Sequence, residues 1–401
     1  MTPQTFLIIG VLVALLVAGS RGWLLGQHLP SWLRPFVDSG VSFIILGVVI
    51  GPQGANLITG DHLTQLQPLI LVGLGWIGFL YGAHFEWRLM RRYPPGLYAA
   101  GSLQALFTFA VVAGAMWWVL PSALGSGWSN LERLSAALIL GICAAGTAPA
   151  GTFRITSQRG ISHHNQNILR FMAAIDDLPA LAVLALATAW THPAILGGST
   201  IFFLQWVALS IGLGLVTALI AHWVFPRGED IRHNSLILLG IVALGAGVAG
   251  YLRISPLFVT AVAGMTFANI SHRKESAYGL LAGREHLLYA IVLLLAGILT
   301  QIDWKIAAGL VPLLVLSRLG GKIAGGWLGW WFLDREKIRP WIGGGLIYQG
   351  GMALAIAVSF DRLHQLTNAH HITTAVVLAV LINEIIAGWI GAVSLQERRR
   401  S

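Results

Sequence analysis

Two adjacent carboxylates lie in the middle of a long apolar segment. Asp176 and Asp177 stand between the runs FMAAI and LPALAVLALATA. Ionisable groups at mid-membrane are costly and mark functional sites by default. Neighbouring helical residues point about 100° apart, so one carboxylate can hold a structural counter-charge while the other faces a site. Such a pair titrates jointly, and protons and a hard cation then compete for the same oxygens. The alternative is two structural carboxylates paired with buried Arg or Lys.

Three further ionisable residues fall inside apolar segments. Glu384 lies midway along the last segment, beside Asn383, where a structural role is the more ordinary interpretation. Arg318 lies nearer the centre of its segment, whereas Lys322, four residues on, can extend its ammonium toward the membrane surface. The more central position of Arg318 predicts that it forms the ion pair with Asp176, and Lys322 and Glu384 are secondary candidates.

Glycine- and proline-rich segments interrupt two of the apolar runs. One is GICAAGTAPAG at 141–151, just before the aspartate pair, and the other is GGGLIYQGG at 343–351. A proline frees a backbone carbonyl one turn earlier, and transporters commonly place broken helices at the membrane midplane. Close helix packing through small residues is the alternative. The predicted lining residues of the two breaks are Thr147, Ala148, Pro149, Gln349 and Gly350.

The composition places these residues in a membrane. Of 401 residues, 56% are hydrophobic and 10% are charged, against roughly a quarter charged in soluble domains. A spanning helix needs about 20 mostly apolar residues, and the long continuous runs exclude a barrel. The sequence therefore predicts an all-α integral membrane protein with about 13 transmembrane helices in a single domain, 1–401, without a soluble regulatory domain. The approximate spans are 5–20, 38–52, 65–84, 95–120, 132–150, 165–190, 200–224, 234–251, 255–270, 286–301, 306–332, 340–360 and 371–394.

The basic residues are divided unevenly between the two predicted sides of the membrane. Lys and Arg number 25 against 16 Asp and Glu, a net charge of +9. With thirteen spans, 19 basic residues fall on one side and 4 on the other, and Arg318 and Lys322 lie within a span. Cytoplasmic loops carry the excess of Lys and Arg, so the N-terminus is predicted outside and the C-terminus in the cytoplasm. The basic excess thus indicates topology and not nucleic-acid binding. The single Cys143 excludes a disulfide framework.

The order of these features resembles the monovalent cation/proton antiporter superfamily, that is, the sodium/proton exchanger membrane domain. The resemblance covers nearly the whole chain. It rests on the spans, the Gly51-Pro52 corner, the Thr147-Ala148-Pro149 break, the aspartate pair, Arg318 and the glycine-rich break of the twelfth span. It implies a core (transport) domain that moves against a dimerisation domain, two broken crossing helices, alternating access and a homodimer.

The resemblance also implies roles for individual residues. Asp177 would be the principal carrier of the cation and the proton, Asp176 would pair with the basic residue of the eleventh span, and Thr147 would line the site. The chain departs from the superfamily at two places. Electrogenic members with an aspartate pair usually carry lysine where this chain has Arg318. Many relatives carry an Arg-Gly-Glu type sequence near Gln349, which is uncharged here.

The predicted function is exchange of protons for monovalent cations across the cytoplasmic membrane, without a cofactor and without enzymatic chemistry. Na+ is the favoured cation, Li+ and K+ stay open, and the transported ion would bind Asp177 and Asp176. The predicted partners are these ions, the lipid bilayer and a second copy of the chain, with no nucleic acid. Three alternatives stay open: the membrane subunit of a potassium efflux system, a sodium-coupled organic-anion symporter and a non-transporting membrane sensor. The aspartate pair makes an anionic substrate unfavourable.

Overall fold

The computed structural model describes residues 40–124, 129–149, 151–152, 163–192, 200–224, 231–271, 285–333, 340–363 and 369–394. Within these ranges the chain forms helices and no strand, which agrees with the predicted all-α class. The first predicted span, 5–20, and many of the basic loops lie outside the described residues. The helices are α1 Val41–Ile50, α2 Gly60–Gln65, α3 Gln67–Ala83, α4 Trp87–Met90, α5 Pro95–Leu124, α6 Asn130–Ala145, α7 His163–Ile175, α8 Asp177–Trp190, α9 Thr200–Val224, α10 Ile231–Tyr251, α11 Pro256–Ile270, α12 Glu285–Leu299, α13 Trp304–Trp330, a 3-10 helix Pro340–Leu346, α14 Gly351–Leu363 and α15 Ala369–Ser394.

Several of these helices are long and apolar enough to cross a membrane. In the described part of the chain, five pass on length and composition: Pro95–Pro121, His163–Trp190, Phe203–Val224, Trp304–Trp330 and His370–Ile390. A sixth is the pair formed by the 3-10 helix and α14, which is bent by 59° at its break. Shorter apolar helices, α1 and α3 among them, coincide with other predicted spans. The total of thirteen spans stays a prediction.

The described residues divide into two compact units, of which the first comprises those within 1–90, 188–301 and 358–365. In this unit α3 packs against α10, α11 and α12, while α12 also contacts α1 and α9 contacts α11. Trp76, Phe79 and Phe267 lie in its buried apolar cluster. Helices α3 and α11 approach closely at Gly264, where the absence of a side chain is required because a Cβ would overlap the carbonyl oxygen of Phe79.

The second unit, within 91–187, 302–357 and 366–401, contains all the predicted site residues. Helix α5 packs against α6, α7 and α13, and α13 also contacts α6, α15 and the 3-10 helix. A Cβ on Gly321, Gly325 or Gly329 would lie 3.0, 2.9 or 2.7 Å from backbone atoms of α5. Small residues at this spacing let helix backbones come together. The close contact fixes the position of α13, and therefore of Arg318 and Lys322, within this unit.

Both predicted helix breaks are present. Helix α6 ends at Ala145, and residues 146–148 are not helical, with Gly146 extended at φ −64° and ψ 146°. The predicted span reached about residue 150; it ends earlier because Pro149 has no N–H to donate to the carbonyl of Ala145. The second break comprises residues 347–350, between the 3-10 helix and α14.

Candidate ion-binding site

The two helix breaks of the second unit lie side by side. The N–H of Ala148 donates to the carbonyl oxygen of Tyr348 over 2.9 Å. A Cβ on Gly350 would lie 2.9 Å from the Cβ of Ala148, so the absence of a side chain there permits the contact. Pro149, half-buried, begins the next helical residues. The structure thus brings together the predicted lining residues of both breaks.

The break at the end of α6 frees backbone carbonyls that a continuous helix would pair with N–H groups four residues later. Side chains from elsewhere in the unit bind three of them. The bonds are Gln349 Nε2 to the Cys143 carbonyl at 2.8 Å, Lys322 Nζ to the Ala145 carbonyl, and Arg318 Nη2 to the Gly146 carbonyl at 2.9 Å. Buried backbone groups need such partners, so these three side chains make the broken form of α6 stable.

Asp176 is held by several bonds at once. It lies between α7 and α8 and is fully buried. The N–H of Thr147 donates to its Oδ1 over 3.2 Å, and the hydroxyl of Thr147 donates to its Oδ2 over 2.5 Å. Lys322 Nζ lies 3.0 Å from the same Oδ2 and also donates to the hydroxyl of Thr147 over 2.7 Å. Asp176 is therefore the counter-charge of a buried ion pair.

The prediction that Arg318 pairs with Asp176 is wrong. The guanidinium of Arg318 donates to the carbonyls of Ile347 at 2.5 Å, Gly146 at 2.9 Å and Tyr348 at 3.4 Å. Its planar fork of N–H donors suits several carbonyls at once. Lys322, about 6 Å further along α13, carries the ammonium that reaches Asp176. In this chain a lysine therefore pairs with the first aspartate.

Asp177 is the first residue of α8 and is 1% exposed. Its Oδ1 has no hydrogen-bond partner among the described residues. A Cβ on Gly146 would lie 3.4 Å from this oxygen, so the carboxylate is adjacent to the first break. Unsatisfied buried oxygens are rare in native proteins. The two aspartates thus have different surroundings, since Asp176 accepts several bonds and Oδ1 of Asp177 accepts none from the described residues.

A further polar contact joins the last helix to the second break. Asn383 of α15 is fully buried, and its Nδ2 donates to Oε1 of Gln349 over 2.7 Å. Asn383 was not among the predicted site residues; its position at the centre of an apolar span was the signal that could have identified it. Glu384 is half-buried and interacts electrostatically with Arg318.

Comparisons with known proteins identify relatives of this chain. The family model described as "Sodium/hydrogen exchanger, transmembrane" matches residues 11–396. The ammonium/H+ antiporter subunit AmhT of Alkalihalophilus pseudofirmus is 22% identical over 366 residues, which cover 88% of this chain and 86% of that protein.

The fold is similar to two structures of the sodium proton antiporter MjNhaP1 from Methanocaldococcus jannaschii, each 15% identical to this chain. One, at pH 8, has a TM-score of 0.60 and covers 97% of both chains. The other has a TM-score of 0.66 and covers 100% of this chain and 99% of its own. The family match extends over nearly the whole chain, and the protein therefore belongs to the sodium/hydrogen exchanger family of membrane transporters, which carry out cation/proton antiport and are not enzymes.

Proposed function

We propose that this protein exchanges protons for a monovalent cation, with Na+ as the favoured ion, and that Asp177 is the carrier. The observation that carries the proposal is the difference between the two aspartates. Asp176 accepts bonds from Thr147 and Lys322, whereas Oδ1 of Asp177 is buried without a partner beside the first break. Carboxylate, carbonyl and hydroxyl oxygens are the ligands that hard cations prefer. The transported Na+ would bind Asp177, with Thr147 and Asp176 completing the oxygen-rich surroundings.

Desolvation supplies the coupling between the two ions. A bare carboxylate in a low-dielectric setting is costly, so Asp177 is expected to cross the membrane only when a proton or a cation neutralises it. Alternating access would then carry one ion in each direction. The crossing residues Ala148, Pro149 and Gly350 are proposed to line this path, and Arg318 to hold the crossing together. Glu384 stays a secondary candidate.

The remaining predictions, from the charge distribution, the composition and the family resemblance, stay part of the proposal. These are a homodimer in the cytoplasmic membrane, an external N-terminus, a cytoplasmic C-terminus and a single transmembrane domain with core and dimerisation parts. Li+ and K+ stay open as substrates. The similarity to an ammonium/H+ antiporter subunit adds NH4+ to the cations to be compared, since ammonium carries the same charge and can donate to carboxylate oxygens.

The test is proton movement in proteoliposomes that contain the purified protein and a pH-sensitive dye. Asp177→Asn is expected to abolish proton movement driven by Na+, because the amide neither binds a proton nor neutralises a cation. Asp303→Asn is the matched control: Asp303 caps α13 by accepting from the N–H of Lys305 over 2.9 Å, and Asn caps helices as well as Asp does. Exchange that persists unchanged in Asp177→Asn would refute the site assignment.

The same preparation discriminates among the cations and the alternatives. Na+, Li+, K+ and NH4+ are added in turn at fixed ionic strength, and the apparent KM for each ion identifies the preferred substrate. A folded wild-type protein that moves protons with none of these ions would favour the non-transporting sensor. Cation movement without counter-movement of protons would favour the potassium efflux system.

A further inference from the structure

A chain of three fully buried groups joins α15, the second break and α6. Asn383 Nδ2 donates to Gln349 Oε1 over 2.7 Å, and Gln349 Nε2 donates to the carbonyl of Cys143 over 2.8 Å. Asn383 and Cys143 are 0% exposed and Gln349 is 1% exposed. The chain lies entirely within the second unit. It connects the last helix to the C-terminal turn of α6.

The carbonyl of Cys143 dictates the orientation of both amides. A carbonyl oxygen can only accept a hydrogen bond, so Gln349 must turn its NH2 group toward it. The Oε1 of Gln349 then faces Asn383, which must present its own NH2 group. The Oδ1 of Asn383 is left facing away and has no hydrogen-bond partner among the described residues. Each amide therefore has one allowed orientation, and a side chain without a donor at position 383 would break the chain.

The Cys143 carbonyl lacks its helical donor in this structure. In a continuous helix it would accept from the N–H of Thr147, four residues on. In this structure the N–H of Thr147 donates instead to Oδ1 of Asp176 over 3.2 Å. Gln349 supplies the donor that this buried carbonyl would otherwise lack, and so stabilises the form in which α6 ends before Thr147. In that form the N–H and the hydroxyl of Thr147 donate to Asp176.

We propose that Gln349 and Asn383 are positioning residues for cation binding: they hold the Cys143 carbonyl, keep the α6 break open and so place the oxygens around Asp177. The inference rests on the proposed function, because it assigns a role in the same site. Loss of the chain releases the Cys143 carbonyl to Thr147, whose hydroxyl then moves away from the cation. The expected consequence is weaker cation binding and a changed preference among cations of different radius.

The test measures apparent KM and maximal rate for Na+, Li+, K+ and NH4+ in proteoliposomes. Asn383→Leu removes the donor to Gln349, and the apparent KM for the preferred cation is expected to rise about fivefold, the effect of one net hydrogen bond. The maximal rate is expected to change less, and the ratio of the KM values among cations is expected to shift. Gln349→Leu is expected to give the same pattern, and the double variant no more than the larger single effect.

Asn383→Asp distinguishes a positioning role from a merely structural one through the pH dependence of the apparent KM. A protonated carboxyl can donate to Gln349 and restore the chain, whereas an ionised carboxylate only accepts. The ratio of the variant's KM to that of the wild type is therefore expected to be lowest at the acid end of the pH range and lower there than for Asn383→Leu. Thr373→Val is the control on the same helix, since the buried Thr373 hydroxyl bonds to the Ala357 carbonyl at 3.3 Å and not to the break.

The outcomes separate the inference from the proposed function. A wild-type protein without exchange refutes the proposed function itself. Wild-type exchange together with wild-type KM values and cation preference in both Asn383→Leu and Gln349→Leu refutes the inference alone. If Asn383→Leu does not fold, Asn383→Asp decides: a KM ratio that is independent of pH and elevated throughout counts against the chain.

Discussion

Removal of the Lys322 ammonium measures the contribution of the Lys322–Asp176 ion pair to stability. This pair is present where the sequence predicted a pair between Arg318 and Asp176. Lys322→Met keeps an unbranched side chain of similar length and deletes the charge. The carbonyl of Ala145, the hydroxyl of Thr147 and Oδ2 of Asp176 all lose a donor. Removing one partner of a buried ion pair costs about 3–5 kcal/mol, since the other charge stays buried and unpaired. We expect the free energy of unfolding of Lys322→Met to fall by that amount.

Two double-mutant cycles test whether Lys322 or Arg318 forms the ion pair with Asp176. In the first, Asp176→Asn is combined with Lys322→Met, and the coupling is expected at about 2–3 kcal/mol, the upper range for residues in direct contact. In the second, Asp176→Asn is combined with Arg318→Met. Arg318 donates to carbonyls and interacts with Asp176 only through space, so its coupling is expected to be smaller than that of Lys322.

The assay is unfolding in detergent, by heat or by titration with a denaturing detergent, with all variants at one pH and one salt concentration. The wild type, the three single variants and the two double variants are compared in the same preparation. A coupling for Arg318 equal to or larger than that for Lys322 would refute the assignment of the ion pair. Equal destabilisation by both single variants would not, because each leaves buried groups without a partner.

Two further predictions concern packing and pH. Gly325→Ala places a Cβ 2.9 Å from a backbone oxygen of α5 and is expected to lower the free energy of unfolding by about 1–3 kcal/mol. The Cβ of Gly320→Ala meets nothing within 4 Å, and this variant is expected to raise the free energy of unfolding slightly. Thermal unfolding of both variants measures the difference. Burial lowers the pKa of His192, against its hydrogen bond to the Leu252 carbonyl, so the neutral ring is favoured in the folded state. The contribution of neutral His192 to stability is complete above about pH 6.5 and is lost as the pH falls through the folded pKa. The melting temperature of the wild type is therefore expected to fall more between pH 7 and pH 5 than that of His192→Gln. An equal fall in the two proteins would contradict this prediction.

The predictions that came true depend on local chemistry. Pro149 lacks an N–H, so a break near Thr147 could be predicted from the sequence, although the helix itself ends at Ala145, earlier than the predicted residue 150. The three glycines at 343–345 and the two at 350–351 likewise mark the second break. The apolar runs predict where helices lie because, in lipid, the backbone N–H and C=O groups of each run must hydrogen-bond to one another. The described helices coincide with those runs.

The predictions that failed or were incomplete concern partners far apart in the sequence. Arg318 and Lys322 are one helical turn apart on the same side of α13, so depth and charge do not say which of them meets Asp176. The choice depends on the axial position of α13 against α5, which the close contacts at Gly321 and Gly325 set. Depth in the membrane favours the more central Arg318, yet its guanidinium binds carbonyls.

Asn383 was missed for a related reason. A single amide in an apolar span predicts a hydrogen bond but not its partner. Gln349 lies 34 residues away and Cys143 a further 206 residues from Gln349. These three meet only because α15 and the second break both lie against the C-terminal turn of α6.

The sequence by itself determined that the chain lies in a membrane and is helical, where both breaks lie, and that the aspartate pair is the candidate site. These follow from residue type and near neighbours, since desolvation of a charge and loss of a backbone donor are properties of a few consecutive residues. Only the tertiary structure decided that Lys322 neutralises Asp176 from 146 residues away, that Arg318 binds the crossing carbonyls, and that Oδ1 of Asp177 is left without a partner. Those contacts depend on the rotation and axial register of packed helices, which no local pattern specifies.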